Sequence, residues 1–168
     1  LDDVERYRHL SAEELVWAVG SEDTDTLADL GSGTGFYTDD VAPHAGTVYG
    51  VDVQDAMHEH YREKGTPENV ELVTAEVADL PFADAELDGA FSTMTFHEFA
   101  SEEAIDEIAR TVAAGGRVAV ADWSAEGAGE AGPPLAERFS LADAEAQFET
   151  GGFTVEFAAE RSETFLLV

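Results

Sequence analysis

A glycine-rich segment at positions 29–35, DLGSGTG, is the part of the sequence whose residue types and spacing most directly suggest chemistry. Glycines remove side chains where the backbone must bend after a strand, and they let a ligand approach main-chain N–H groups closely. A nucleotide-like ligand suits such a loop. A tight strand-to-helix turn that binds nothing would have the same composition, so the surrounding residues must decide between the two.

The acidic residue that opens this loop bears on which nucleotide it could hold. Asp29 would repel the pyrophosphate of a dinucleotide, whereas it could attract the ammonium and sulfonium groups of S-adenosylmethionine. The glycines are spaced G-x-G-x-G, so Gly35 stands one residue early for the dinucleotide pattern. Asp52, at the end of the next apolar stretch, could accept both hydroxyl protons of a ribose, or it could be an ordinary strand-end acid.

Two residues further along the chain could exchange protons with a substrate. His97 titrates near neutral pH and could deprotonate a nucleophile, or it could pack near the helix that begins at Ser101. Asp122 follows an apolar strand, where ligands of α/β proteins gather, and could orient or deprotonate a substrate or be a solvated acid. Trp123, its neighbour, could form the wall of an apolar pocket or simply pack against the fold.

The other histidines do not suggest a metal site. His58 and His60 are two residues apart in a predicted helix and therefore point to different faces, and His44 lies elsewhere in the sequence. We expect all three on the surface, and we expect no metal.

The elements that must position these residues alternate between short apolar strands and helices, which is typical of a parallel sheet. The patterns predict strands at 26–30, 47–52, 70–74, 87–93 and 117–122, and two closing strands from Phe153 to Ala159 and from Thr164 to Val168. They predict helices from about Ala12 to Val19, from Asp55 to Lys64, from a cap at Ser101 to Gly115 and Gly116, and from Leu141 to Thr150.

The ends of the predicted elements carry recognisable signals. Ser11 and Glu14 have the spacing of a capping box for the first helix, and Ser140 caps the last one. Residues 125–134, rich in Gly, Ala and Pro, are expected to form a flexible surface loop near the site. A length of 168 residues suits one compact domain, so residues 1–168 are expected to form a single unit.

The charge balance is strongly acidic. Asp and Glu number 37, Lys and Arg only 8, and the formal net charge is −29. Concentrated salt screens such self-repulsion over about 3 Å at 1 M, so we interpret the acidity as adaptation to a salt-rich cytoplasm. The absence of a basic cluster disfavours a nucleic-acid partner.

The lack of long apolar runs and of cysteines excludes further classes of protein and site. No apolar run approaches the roughly 20 residues of a membrane span, and the first residues are charged rather than signal-like, which predicts a cytoplasmic protein. The sequence has no cysteine, which excludes disulfides, thiolate metal sites and thiol nucleophiles.

Taken together, the stretches DLGSGTGFYT, the strand ending at Asp52, and AEVADLPFADAELDGAFSTMTFHEF resemble the class I S-adenosylmethionine-dependent methyltransferases, particularly the small ubiquinone/menaquinone-biosynthesis type. The resemblance covers nearly the whole chain. It implies an α/β, Rossmann-like, doubly wound sheet of seven strands, with the last strand antiparallel and helices on both faces. It also implies S-adenosylmethionine as cofactor.

The resemblance assigns cofactor contacts residue by residue. Asp29 would lie near the amino group, Asp52 would hold the ribose hydroxyls, and Glu76 stands where the family usually has Asp against the adenine amine. The resemblance also places the glycine loop around the methionine portion and the ribose (Gly31, Ser32, Gly33, Gly35). Val53 and Met57 would lie beside the adenine, and the backbone N–H of Val77 would donate to the adenine ring. The end of the fourth strand would contact the methionine portion (Ser92, Thr93, Met94).

The resemblance also implies that residues 1–20 form a helical lid over the cofactor. Tyr7 could then touch the cofactor carboxylate or the substrate, or simply pack. Aromatic residues including Phe96 and Trp123 suggest a small apolar or aromatic methyl acceptor.

Three functions remain open at this point. A methyltransferase would act by direct displacement, with His97 as the first choice of general base and Asp122 as the second. The alternatives are a protein that binds the same cofactor without transferring methyl and, disfavoured by the glycine spacing, a nucleotide-dependent oxidoreductase.

Overall fold

A mixed seven-stranded sheet forms the centre of the computed structural model, which describes residues 4–168. The strand order is β3-β2-β1-β4-β5-β7-β6. The strands are β1 (Thr26–Leu30), β2 (Thr47–Asp52), β3 (Val70–Thr74), β4 (Leu87–Thr93), β5 (Val112–Trp123), β6 (Ala158–Glu160) and β7 (Thr164–Leu167). The first five pair in parallel, whereas β7 runs antiparallel to both β5 and β6. The predicted fold class is confirmed.

The helices begin where the sequence provides caps. They are α1 (Ala12–Val19), α2 (Thr38–Val41), α3 (Asp55–Lys64), α4 (Phe96–Phe99), α5 (Glu102–Thr111) and α6 (Leu141–Thr150), with 3₁₀ turns at Val4–Arg8, Ala42–His44 and Leu135–Glu137. Ser11 and Glu14 form the predicted capping box, and Ser101 and Ser140 each accept a hydrogen bond from the first turn of their helix.

Helices cover both faces of the sheet because successive strand residues point to opposite sides. On one face Leu27 and Phe91 pack with α1 and with Tyr61 of α3. On the other face Ala28 and Ala90 pack with α5 and α6. Burial on both faces explains why the central strands read as nearly continuous apolar runs.

Several element boundaries differ from the sequence-based prediction, among them the start of β5, which is Val112 and not Arg117. Helix α5 ends at Thr111 rather than near Gly115, because Val112 is already extended and pairs with Leu87. Strand β6 covers only Ala158–Glu160. Phe153 precedes it outside any strand and packs against the core.

The prediction that His58 lies on the surface is wrong. Its side chain has 0% exposure beneath α3, with Nδ1 3.2 Å from the Thr74 hydroxyl oxygen. Burial lowers the pKa of His58, which favours the neutral ring. His44 and His60 are exposed, as predicted.

Residues 125–134 lie beside a buried ion pair. The guanidinium of Arg138 is 3.1 Å from the Glu163 carboxylate and also donates to the carbonyls of Ala131 and Pro133. Glu163 in turn accepts hydrogen bonds from the backbone N–H groups of Gly129 and Glu130, at 3.1 and 2.7 Å. The second half of the loop is thus tied to this buried pair.

Among residues 4–168, no helix has the length and apolar character needed to cross a bilayer.

Candidate functional site

The glycine loop leaves β1 at the carboxyl edge of the sheet. Gly31 and Gly35 have φ values of +84° and +80°, which residues other than glycine rarely adopt. A Cβ atom at Gly35 would overlap the Tyr61 ring, and one at Gly31 would overlap the Thr95 side chain. Both glycines are therefore required by backbone conformation and by close packing.

The backbone N–H groups of this loop are largely used within the protein. Gly31 and Ser32 both donate to the Val51 carbonyl, at 2.8 and 2.9 Å, and Gly35 donates to the Ser32 carbonyl at 2.9 Å. Gly33 donates to the Asp52 carboxylate at 2.9 Å. A pyrophosphate-binding loop instead offers such groups to its ligand, so this arrangement does not favour a dinucleotide.

Asp29 lies directly beneath the loop and is 1% exposed. Its Oδ2 accepts a hydrogen bond from the Thr38 hydroxyl at 2.6 Å, whereas its buried Oδ1 has no partner within the part of the chain that the structure describes. Burial raises the pKa of Asp29 to about 7, although the Thr38 hydrogen bond and the charge of Arg6 act in the opposite direction. The carboxyl group can therefore accept a cation or a further hydrogen-bond donor.

Asp52 ends β2 next to the loop and is 9% exposed. Its Oδ1 accepts from the Gln54 N–H at 2.8 Å, and its Oδ2 accepts from Gly33. These two bonds fix the carboxylate plane while each oxygen keeps a further lone pair. The side chain is thus oriented for a ligand with two adjacent hydroxyl groups.

The end of β4 forms the opposite wall. Met94 has φ +59°, an uncommon value for a residue with a side chain, and its N–H donates to the Ala121 carbonyl at 2.7 Å. The Thr95 hydroxyl contacts the carbonyls of Thr93 and Gly31, at 3.0 and 3.2 Å. Backbone strain of this kind is frequent at binding sites.

These segments enclose a cavity of about 170 Å³, which we call the loop pocket. Seven of the predicted cofactor residues line it: Gly31, Ser32, Gly33, Asp52, Met57, Thr93 and Met94. The other predicted cofactor residues lie elsewhere: Asp29, Gly35 and Ser92 are buried beside lining residues, Val77 is in the core, and Val53 and Glu76 are exposed. The buried oxygens Ser32 Oγ and Ser92 Oγ have no hydrogen-bond partner among residues 4–168.

The loop pocket also contains residues that the sequence did not indicate, among them Arg6, Phe36, Tyr37 and Glu98. Arg6 comes from the 3₁₀ turn before α1. Only eight residues of the sequence are Lys or Arg, so a cation beside the predicted lid residue Tyr7 was a signal that could have been used. Tyr7 itself donates to the Asp40 carboxylate at 2.9 Å.

His97 and Asp122 meet beyond the end of β4. Asp122 is 1% exposed and accepts the His97 backbone N–H at 2.6 Å. The His97 Nδ1 lies 3.0 Å from both Asp122 oxygens. A carboxylate only accepts hydrogen bonds, so this contact favours a proton on Nδ1, and Nε2 then has a lone pair whenever the ring is neutral. The hydrogen bond with Asp122 raises the pKa of His97, and burial opposes this effect.

The predicted substrate residues are placed differently from one another. Phe96 is fully buried and stacks on Phe148 at 5.6 Å, which is a core position and not a pocket wall. Trp123 is partly exposed, and its ring lies 4.8 Å from the ring of His9.

A larger cavity, of about 470 Å³, lies at another edge of the sheet, between the first half of β5 and residues 151–156. None of the predicted site residues lines it. We therefore place the functional site at the smaller loop pocket, which lies next to the buried Asp29, is lined by Met94 with its positive φ, and adjoins His97 through the lining residue Glu98.

Comparison with known proteins shows the family to which the chain belongs. Residues 28–120, more than half of the chain, match the model of the family described as methyltransferase domain. The chain is 31% identical over 111 residues to the biotin biosynthesis bifunctional protein BioHC of Cellvibrio japonicus, covering 66% of the chain and 22% of that protein. It is 34% identical over 99 residues to the demethylmenaquinone methyltransferase of Corynebacterium kroppenstedtii, covering 58% and 42%. The chain thus spans less than half the length of these two relatives.

A solved structure extends the similarity to the whole fold. The crystal structure of an S-adenosylmethionine-dependent methyltransferase from Aquifex aeolicus matches with a TM-score of 0.87 and 28% identity, covering 99% of this chain and 92% of that one. The chain therefore belongs to the family of S-adenosylmethionine-dependent methyltransferases, and S-adenosylmethionine is its cofactor.

Proposed function

We propose that this protein transfers the methyl group of S-adenosylmethionine to a small apolar or aromatic molecule by direct displacement, with His97 as general base. The observation that carries the proposal is the buried Asp122 carboxylate, which holds the His97 ring through Nδ1, while Nε2 lies 3.9 Å from the carboxylate of Glu98, a residue that lines the loop pocket. The 34% sequence identity over 99 residues to a demethylmenaquinone methyltransferase supports a methyl acceptor of the quinone-precursor type.

The residues of the loop pocket fit this cofactor. The partnerless Asp29 Oδ1 suits an ammonium group, and the fixed carboxylate of Asp52 suits the two ribose hydroxyls. Ser32 Oγ and Ser92 Oγ are further buried polar atoms that need a partner. The cofactor supplies a methyl group made electrophilic by the sulfonium to which it is bonded.

The protein's own contribution is alignment and proton transfer. Nε2 of His97 would accept the proton of an acceptor hydroxyl or acidic C–H as the nucleophile forms its bond to the methyl carbon. Asp122 already accepts hydrogen bonds from the His97 N–H, the His97 ring and the Trp123 N–H. We therefore assign Asp122 the role of positioning residue and not that of a competing base.

Calorimetric titration of S-adenosylhomocysteine tests the cofactor part of the proposal. We expect binding by the wild type and a loss of about 10- to 100-fold in Asp52→Asn, because hydrogen bonds to a charged group are replaced by weaker ones. Asp55→Asn is the matched control, since Asp55 is exposed on the neighbouring turn and does not line the pocket. Folded wild-type protein that binds neither S-adenosylhomocysteine nor S-adenosylmethionine contradicts the proposal.

Transfer of a radiolabelled methyl group to a panel of small phenols and quinols tests the catalytic part. His97→Gln should retain cofactor affinity and lose about 10²- to 10⁴-fold in transfer rate, which is the range typical of general bases. The wild-type rate should rise with pH as His97 loses its proton. A protein that binds the cofactor but labels no acceptor would instead be a binding protein.

A further inference from the structure

The N-terminal 3₁₀ turn, Val4–Arg8, is held against the loop pocket by its backbone. The hydroxyl of Tyr37, a residue only 2% exposed, donates to the carbonyls of Arg6 and Leu10, at 3.0 and 3.1 Å. Tyr7 adds its bond to Asp40, and the carbonyl of His9 accepts from Arg161 at 2.9 Å. The turn is therefore attached at several points along its length.

These attachments place the Arg6 side chain beside two aromatic rings. The central carbon of its guanidinium lies 5.1 Å from the ring centroids of both Phe36 and Tyr37, a distance typical of cation–π contacts. The two rings limit the rotamers of a long side chain, so Arg6 reaches the pocket with much of its conformational entropy already lost.

The charged groups around the loop pocket indicate which ligand group Arg6 could bind. Among the residues described, the charged ones that line the pocket are Arg6, Asp52 and Glu98, and Asp29 is buried beneath the loop. The cofactor ends in an amino acid, which bears an ammonium and a carboxylate on one carbon. Acids alone would attract the ammonium and repel the carboxylate.

We propose that Arg6 binds the carboxylate of the cofactor's amino acid end, while Asp29 faces its ammonium, so that the Val4–Arg8 turn forms one wall of the cofactor site. This inference rests on the proposed function. It makes Arg6, and not Tyr7, the residue of the N-terminal segment that recognises the cofactor. A guanidinium can hold a carboxylate through two parallel hydrogen bonds, which suits a pocket in a protein of net charge −29.

Three ligands that differ at the amino acid end test the proposal by calorimetry. S-adenosylhomocysteine has both charged groups of the amino acid end, decarboxylated S-adenosylmethionine keeps the ammonium without the carboxylate and adds a methylated sulfonium, and 5′-methylthioadenosine lacks both groups. We expect Arg6→Gln to weaken S-adenosylhomocysteine binding about 10- to 100-fold and to change binding of the other two less than about threefold. Arg6→Lys keeps the charge and should recover part of the loss.

Arg8→Gln is the matched control, because Arg8 lies on the same turn with its side chain 73% exposed and paired with Glu5. It should bind all three ligands as the wild type does. Thermal unfolding of each variant shows whether the fold is kept.

Equal losses for all three ligands in a folded Arg6→Gln protein, or no loss for any, would overturn the proposal while the proposed function stands. A wild type that binds none of the three would overturn both.

Discussion

The carboxyl group of Asp29 is buried, so its ionisation is unfavourable unless a cation binds beside it. Burial raises its pKa from 3.8 to about 7, the Thr38 hydroxyl and Arg6 lower it, and Asp52 raises it. Burial and the hydrogen bond to Asp39 raise the pKa of the Tyr61 hydroxyl on α3, and the charge of Asp29 raises it further. Below about pH 7 the acid holds a proton that an incoming ammonium group would displace.

Cofactor affinity should therefore depend on pH. Below pH 7, binding releases a proton, so the association constant of S-adenosylhomocysteine should rise toward a limit of about tenfold per pH unit and level off above pH 7. Calorimetry in buffers of different ionisation enthalpy would count the released protons. Asp29→Asn should bind more weakly with a flat profile. A wild-type profile that is equally flat would show that Asp29 does not meet the cation.

The same group predicts a stability change in the cofactor-free protein. An acid whose pKa is raised in the folded state holds a proton that the unfolded chain has lost. Its contribution to the free energy of unfolding therefore falls as pH rises from about 4 to about 7. The decline should be smaller in Asp29→Asn.

At the scale of elements, four residues of the loop at 125–134 contact one buried ion pair: Gly129 and Glu130 donate to Glu163, and the carbonyls of Ala131 and Pro133 accept from Arg138. Arg138 and Glu163 are both 7% exposed, and Arg138 also lies over the Trp123 ring at 5.6 Å. Removing one partner of a buried pair leaves the other charge, and the loop carbonyls, without compensation. Arg138 contacts Trp123, and the adjacent Asp122 bonds to the proposed base His97. The loop therefore packs next to the residues that position His97.

Arg138→Met should consequently lower the free energy of unfolding by at least about 2 kcal/mol and expose residues 125–134 to proteolysis. Chemical denaturation and limited digestion measure the two effects. Arg117→Met is the control, since the Arg117–Glu156 pair is exposed and 3.4 Å long and should contribute less than about 1 kcal/mol. Similar losses in both variants would argue against a special role for the buried pair.

For the whole molecule, the net charge of −29 sets the conditions under which the fold is stable. Repulsion among exposed acids acts over about 10 Å at 0.1 M salt but only about 3 Å at 1 M. Buried charged groups are screened much less, so salt should act mainly by reducing the repulsion among exposed acidic side chains.

The midpoint of thermal unfolding should therefore rise between about 0.1 and 2 M potassium chloride, by several degrees or more. A variant in which the exposed residues Glu59, Glu86, Asp106 and Glu149 become amides should unfold at a higher temperature in low salt and respond less to added salt. A midpoint that is independent of salt in the wild type would contradict the interpretation of the acidity as a salt adaptation.

The sequence by itself determined the features that depend on local pattern. The glycine loop after β1, the serine caps at Ser11, Ser101 and Ser140, and the alternation of apolar strands with helices each follow from residues close together in the chain. Boundaries were less certain, as at Val112, because pairing with Leu87 on another strand outweighs the local helical pattern.

Only the tertiary structure decided which distant residues meet. Strand order brings Asp122 to the ring of His97, and the packing of the first turn on Tyr37 brings Arg6 into the loop pocket. Burial of His58, the partnerless oxygen of Asp29 and the Arg138–Glu163 pair likewise depend on which faces pack together. Local propensity specifies elements, whereas burial and side-chain pairing depend on surfaces that exist only after those elements have assembled.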